Sequence, residues 1–337
     1  MIISITPAAI ASACRTAAAA AVTIEVVAQT GSTNADLLAR AGNAGAGGAL
    51  PTLQSSLQSS PPSALTHPTL LVALEQTAGR GRAGRIWQSN GGSLTFSLAW
   101  PSSLPVSDLL GLPLAIGVAV AEVLAARRVA VALKWPNDIL FDGRKLAGIL
   151  IETSGGVGSG AIGGTGTVMG INTSPACSTA TDSTTSMTGA NDRIRRRTWA
   201  VIGIGLNLLS AGSDDMFLHL PANASGVVPP IAALPTTDRN VLLAELLDAL
   251  VLTVQQFEQA GLAPFVARWN ALHAHAGQRV DILDQGKILQ SGIALGIDAS
   301  GRLLLDCGSP ALPQVKAIVA GDVSLRANQG AVHAVAD

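Results

Sequence analysis

The sequence is short of charge, of aromatic rings and of lysine. Charged residues make up 13% of its 337 positions against 48% hydrophobic. That is the reverse of the balance that keeps a chain disordered, so a folded core is expected. At roughly 150 residues per domain, the length suggests about two domains. Tyrosine is absent and aromatics reach only 3%, so the mean hydropathy of +0.42 comes mostly from alanine and does not argue for a membrane. The best spanning candidate, Leu109–Ala126, is barely of bilayer length and carries Pro113 and Glu122; it reads as a buried helix. With 21 basic residues against 22 acidic ones the net charge is −1, which excludes the broad positive field of a general nucleic-acid binder. The three cysteines, Cys14, Cys177 and Cys307, are odd in number and far apart. They exclude a disulfide framework or a metal cage, and a cytoplasmic protein is expected. Ala11-Ser12-Ala13-Cys14 imitates a lipoprotein cleavage site. It lacks a charged leader, and Ser4, Thr6 and Pro7 break its apolar stretch, so export is not expected.

What is present is an α+β pattern. Segments Thr23–Ala28, Leu70–Glu75, Ser93–Trp100, Arg128–Trp135 and Trp199–Leu209 read as strands. Thr33 and Asn34 can cap a helix running to Ala41, and Asp108–Ala126, Asn240–Ala260 and Ala263–His273 carry helical spacing. From Arg128 to Thr153 the pattern is one of successive antiparallel strands turning at Asp142-Gly143, which argues for a mixed sheet rather than a doubly wound one. Stretches 42–67 and 154–197, rich in Gly, Ser, Thr, Pro and Ala, read as surface insertions, and Arg193–Arg197 as a solvated basic run. Past residue 275, Arg279–Leu283, Lys287–Ile297, Arg302–Asp306 and Val315–Val319 alternate with turn residues, as in a small all-β module of about fifty residues. The expected division is an extension over 1–22, a catalytic domain over 23–275, a β module over 276–327 and a tail over 328–337.

Four segments carry chemistry. Gly79-Arg80-Gly81-Arg82-Ala83-Gly84-Arg85-Ile86-Trp87 follows a strand and places three glycines and three arginines in nine residues. Glycines let a backbone approach an anion, and guanidinium forks pair with carboxylate or phosphate oxygens. The Walker spacing is absent, and Gly-x-Gly-x-x-Gly occurs without a βαβ unit after it. Lys134-Trp135-Pro136-Asn137-Asp138 is followed by Lys145-Leu146-Ala147-Gly148-Ile149, which concentrates two of only four lysines. Asp138 could hold a hydrated magnesium and Lys145 could set a point charge on transferring oxygens; a turn and a strand edge use the same residue types. Gln29-Thr30-Gly31-Ser32-Thr33-Asn34 offers hydroxyls and amides at a strand-to-helix junction, where simple capping also explains them. Gly203-Ile204-Gly205-Leu206-Asn207 puts glycines inside a strand, a sign of close approach by a ligand or another backbone.

In this order the four segments resemble the biotin protein ligase family, and the small C-terminal β module resembles that family's SH3-like domain. The resemblance implies the family's mixed-sheet catalytic fold and ATP-dependent ligation of biotin to a lysine of a biotin carrier domain through biotinyl-adenylate. It implies that Ser32, Thr33, Asn34 and Gln76 recognise the biotin ring, that Arg80, Gly81 and Arg82 cover its carboxylate end with Gly148 beside them, and that Lys145 meets the reacting group. Lys145 and Arg82 are the expected catalytic residues. Arg82, Arg85, Trp87, Asn137, Asp138, Lys145, Gly205 and Asn207 would serve ATP, with Asp138 on Mg2+. ATP and Mg2+ would enter as co-substrate and metal, with no tightly bound prosthetic group. The expected partners are a transient carrier domain of a carboxylase, no DNA and no membrane, the chain acting as a monomer or weak homodimer. Two features depart from longer members: residue 83 is alanine, and the stretch before Thr23 is too short for a winged helix, so repressor activity is not expected. A lipoate or octanoate ligase of the same fold and a non-catalytic biotin-sensing regulator are the competing readings. An RNA-binding protein built on the Gly-Arg loop and Arg193–Arg197 is disfavoured by the charge balance.

Overall fold

The computed structural model describes residues 4–43, 64–89, 92–154, 161–162, 198–208, 238–284, 287–309, 311–319 and 324–327. Most of both insertions, with Cys177 and Arg193–Arg197, lies outside them. The elements run α1 (Pro7–Ala13), α2 (Ala17–Ala20), β1 (Thr23–Thr30), α3 (Thr33–Asn43), β2 (Thr69–Gln76), β3 (Ser93–Ser102), α4 (Leu112–Ala126), β4 (Ala132–Lys134), β5 (Asp138–Phe141), β6 (Arg144–Ser154), β7 (Ala161–Ile162), β8 (Thr198–Asn207), α5 (Arg239–Ala260) and α6 (Ala263–Ala271). Five more strands follow: β9 (Arg279–Asp284), β10 (Lys287–Ile297), β11 (Leu303–Asp306), β12 (Val315–Ile318) and β13 (Ser324–Ala327).

Strand alternation splits the main sheet into two different faces. Leu94, Phe96 and Leu98 of β3 and Ile202, Ile204 and Leu206 of β8 join α4 and α5 in the main core. The intervening residues are small or polar, among them Thr95, Ser97, Gly203 and Gly205, and face the other side. The sheet order is β1-β2-β3-β8-β6-β5-β4, with β7 on β6. Among the described strands of this sheet only β1 and β2 pair in parallel, so the expected α+β mixed sheet is what forms. On the second face α3 lays Leu37 and Ala41 over Leu71, Ala99 and Val201. Among the described residues two stretches, Val106–Ala126 and Arg239–Ala260, are long and apolar enough to cross a membrane, yet most of each is buried in the fold.

Three local differences from the sequence pattern have physical causes. The strand expected from Arg128 begins only at Ala132, because α4 ends in a Schellman motif. Arg128 takes φ 62°, its N–H bonds the Ala125 carbonyl, the Val129 N–H bonds that of Leu124, and Val129 packs with Leu124 in the core. The cap of α3 is Ser32, whose carbonyl receives the Asp36 N–H; Thr33 is already helical. Residues before Thr23 form α1 and α2, which pack on α5. The Asp248 carboxylate there accepts the N–H groups of Arg15 and Thr16 at 2.8 and 2.9 Å, so backbone donors at the start of α2 are satisfied by a side chain more than 230 residues away in sequence. By contrast Asp142 and Gly143 (φ 49° and 70°) form the two-residue turn expected between β5 and β6, both central residues left-handed as such hairpins require.

The last five strands form an antiparallel sheet, β12-β11-β10-β9-β13, joined to the rest of the fold through a shared core. Trp135, 1% exposed, donates its Nε1–H to the Gly301 carbonyl at 3.1 Å, and Asn270 exchanges two hydrogen bonds with Ile297. Trp135→Phe is expected to lose about 2 kcal/mol by orphaning that buried carbonyl and leaving a small void, read as a lower urea midpoint.

His273 and His275, both more than nine-tenths buried, sit at the same junction. Among the described residues neither His273 ring nitrogen nor His275 Nδ1 finds a partner, and the His273 ring lies 4.8 Å from that of Trp269. Burial, helped by neighbouring His275, lowers the His273 pKa to about 4; burial and Lys134 push His275 down as well. The folded state therefore binds fewer protons than the unfolded one between pH 6.5 and 4. Stability is full above pH 6.5 and declines as the pH falls through that window, by about 2 kcal/mol after allowance for solvent screening. Urea midpoints from pH 8 to 5 should show this slope, and His273→Phe should flatten it.

Candidate active site

A cavity of roughly 360 Å3 opens on the second face of the main sheet. Its floor is Gly148 and Leu150 of β6, Gly203 and Gly205 of β8, and Ser97 of β3. The β8 glycines are required by close approach rather than by φ. A Cβ on Gly203 would stand 2.2 Å from Asn34 Oδ1, and one on Gly205 would stand 2.2 Å from the Trp87 indole. Helix α3 and the Gly-Arg loop can thus rest directly on the strand.

At one end the start of α3 supplies polar groups without charge. The Thr33 N–H and hydroxyl both contact Gln76 Oε1, at 2.8 and 3.1 Å. The Ser97 hydroxyl sits 2.6 Å from that of Thr33 and donates to Asn34 Oδ1 at 2.6 Å. Asn34 Nδ2 donates to the Leu150 carbonyl and to Glu152 Oε2. Both Asn34 donors are thereby used within the protein, whereas Gln76 Nε2 bonds no described residue.

The loop from Gly79 to Trp87 folds as a tight return. The Trp87 N–H bonds the Gly79 carbonyl at 2.9 Å and the Gly81 N–H bonds that of Arg85 at 2.7 Å. A Cβ on Gly79 would meet the Trp87 carbonyl oxygen at 2.3 Å, so this glycine lets the two arms of the loop touch. Ala83 takes φ 53°, a left-handed conformation costing an alanine about 1 kcal/mol. Arg82 is buried, 6% exposed, and donates to Asn137 Oδ1 at 3.0 Å; Asn137 is fixed by its own donation to the Ile149 carbonyl.

Lys145 reaches the cavity through a bulge. Ile139 pairs with Ala147 and Leu140 with Lys145, so Leu146 is an extra residue on β6. Strict alternation would turn Lys145 toward the core with Ile149 and Ile151; the bulge re-aims it. Its Nζ bonds Asp138 Oδ1 at 2.6 Å and lies 5.8 Å from the centre of the Trp87 ring.

The cavity brings together every residue expected from the sequence, Arg85 and Asn207 included, except one. Asp138 does not line it, and its carboxylate is engaged by Lys145. No cluster of three or more His, Cys, Asp or Glu suited to a metal occurs among the described residues. Sequence reasoning missed Ser97, Leu150 and Glu152; it read Gly203 as a point of close approach, which it is, and named no partner for it. The signal was there in part: Ser93-Leu-Thr-Phe-Ser-Leu alternates polar and apolar residues, which puts Ser97 on the face that Gly203 shares.

Residues 51–165 match the biotin/lipoate A/B protein ligase family and residues 275–326 the biotin protein ligase C terminal domain. The chain is 30% identical over 306 residues to the biotin–[acetyl-CoA-carboxylase] ligase of Mycobacterium tuberculosis, covering 89% of this chain and 88% of that protein. It is 31% identical to the corresponding ligase of Paracoccus denitrificans, covering 74% and 90%. The chain belongs to the biotin protein ligase family. Among solved structures, a biotin protein ligase from Aquifex aeolicus in complex with biotin and ATP superposes with a TM-score of 0.58 at 22% identity, over 90% of this chain and 99% of that one, and so shares its fold. The bifunctional ligase/repressor of Salmonella typhimurium is 32% identical over 259 residues, which are 76% of this chain but 66% of that protein. Within this biotin protein ligase family member the Lys-Leu-Ala-Gly-Ile motif is the start of β6. The Lys-Trp-Pro-Asn-Asp motif divides its work: Trp135 faces the C-terminal sheet, while Asn137 fixes Arg82 and Asp138 fixes Lys145.

Proposed function

We propose that the chain joins biotin to a lysine of a biotin carboxyl carrier domain by way of biotinyl-adenylate. The observation that carries this reading is a single cavity with an uncharged polar end (Ser32, Thr33, Gln76), two cationic groups beside it (Arg82, Lys145) and an indole over a glycine strand (Trp87 on Gly205). A ureido ring offers both donors and acceptors, and suits the first; a carboxylate meeting a triphosphate needs the second; an adenine face suits the third.

In the first step a carboxylate oxygen of biotin attacks the α-phosphorus of ATP and the bond to the β-phosphate breaks, releasing pyrophosphate. In the second the acceptor amine attacks the acyl carbon and AMP leaves. The barrier to the first is mutual repulsion of two anions, so preorganised positive charge is what the protein must supply. Lys145, aimed by the β6 bulge and steadied by Asp138, is assigned to the reacting oxygens. Arg82, held by Asn137, is assigned to the carboxylate end and the phosphates, while Arg80, Gly81 and Gly148 border the acyl chain. Arg85, Gly205 and Asn207 complete the nucleotide side. Asn34 is assigned to holding Ser97 and the start of α3 in place rather than to the ring itself, because its donors are spent. A lone carboxylate already paired with a lysine does not make a magnesium site, so magnesium enters with the triphosphate. A net charge of −1 gives no support for DNA binding, and ligation alone, by a cytoplasmic monomer or weak homodimer, is the reading adopted.

Purified protein given biotin, Mg-ATP and a carrier domain should attach biotin to the carrier, and calorimetry should show binding of biotin in preference to lipoate. Absence of attached biotin, or a preference for lipoate, overturns the assignment.

A further inference from the structure

Glu152 lies on the cavity side of β6, in register with Gly148 and Leu150, yet it borders the recess behind the Gly-Arg loop rather than the main cavity. Its side chain is 12% exposed. One oxygen, Oε2, accepts from both Asn34 Nδ2 at 2.9 Å and an Arg80 guanidinium nitrogen at 2.8 Å. The two donors come from different parts of the site. Asn34 is in the first turn of α3, locked by Ser97 and the Leu150 carbonyl. Arg80 is in the loop, with a 42% exposed side chain. A carboxylate adds negative charge to an oxygen that takes two donors, and partial burial keeps its attraction for a guanidinium from being fully screened.

We propose that Glu152 is a positioning residue, a latch that holds Arg80 and with it the near arm of the Gly79–Trp87 loop against the ring end of the cavity. The loop then has two moorings, Arg82 on Asn137 at the nucleotide side and Arg80 on Glu152 at the ring side. Releasing the second lets the near arm swing, so that biotin binds less tightly and the adenylate escapes sooner. The adenylate part of this inference rests on the function proposed above; the latch itself does not.

The test uses the full chain and the variants Glu152→Gln, Arg80→Ala and their double. An amide at 152 can keep an acceptor oxygen facing both donors but carries no charge to hold the guanidinium. Glu152→Gln is expected to shed biotinyl-adenylate about tenfold faster in rapid filtration, the scale of the difference between a charge-assisted hydrogen bond and a neutral one. It should raise the KM for biotin while kcat holds, and keep the thermal midpoint. Trypsin should cut after Arg80, Arg82 or Arg85 faster in the ligand-free variant than in the wild type. If Glu152 acts through Arg80, the double variant is no worse than Arg80→Ala. Unchanged retention and cleavage, or a double variant showing the product of the single effects, overturns the proposal. Should Glu152→Gln fail to fold, Glu152→Asp keeps the charge on a shorter arm and must show the same faster cleavage for the proposal to stand. A wild-type protein that forms no adenylate sinks the reaction proposed above instead, and the cleavage arm, which needs no ligand, still decides on the latch.

Discussion

Lys145→Ala is expected to leave the fold intact and to lower adenylation about a hundred- to a thousandfold, corresponding to some 3–4 kcal/mol of transition-state stabilisation. Two effects combine. The ammonium that offsets converging negative charge is removed, and Asp138, bonded to it at 2.6 Å, is left as an uncompensated anion beside the same reactants. The second effect makes the prediction specific: Lys145→Ala/Asp138→Asn should exchange ATP and pyrophosphate faster than Lys145→Ala alone. Near-normal exchange by the single variant would remove Lys145 from the chemistry. A double variant no faster than the single would show that Asp138 does nothing but hold the lysine.

Gly203→Ala should damage the other end of the cavity to a comparable extent. A methyl group there meets Asn34 Oδ1 at 2.2 Å and Asn34 Cγ at 2.8 Å. Asn34 cannot step aside cheaply, because it would abandon Ser97, the Leu150 carbonyl and Glu152 together. Overpacking and a broken buried network each cost about 1–3 kcal/mol, so biotin affinity should fall by about a hundredfold or more, with a lowered thermal midpoint. Calorimetry of biotin binding checks it, with Gly205→Ala as the contrast. The added methyl at 205 presses on Trp87, which sits at the end of a loop and can move out, so nucleotide binding should suffer more than biotin binding.

Much of this could be read from the sequence because it is local. The β5–β6 turn follows from Asp142-Gly143, the long helices from their apolar spacing, and the cavity from four short motifs. What could not be read is non-local. Ser97 reaches Asn34 across 63 positions and Glu152 reaches Arg80 across 72, and no spacing rule connects them. The β6 bulge has no composition of its own, so the direction of Lys145 was beyond the motif that contains it. Arg128 in a left-handed cap looked like the start of a strand because glycine normally marks that position. Helices of seven and four residues, such as α1 and α2, are too short for periodicity; they form because α5 offers Asp248 and an apolar face to the incoming chain.

The junction at Trp135 limits how this protein can be recombined. A chimera that imports another C-terminal module must present a backbone oxygen where the carbonyl of Gly301 stands and must carry no side chain there, since a Cβ would meet Leu114 at 2.8 Å and Leu262 at 3.1 Å. Two positions further along the chain from that tryptophan is the asparagine that anchors Arg82. A graft that fits poorly at the seam is therefore felt at the nucleotide's end of the cleft, and swapping modules alters turnover even where no exchanged atom touches a reactant.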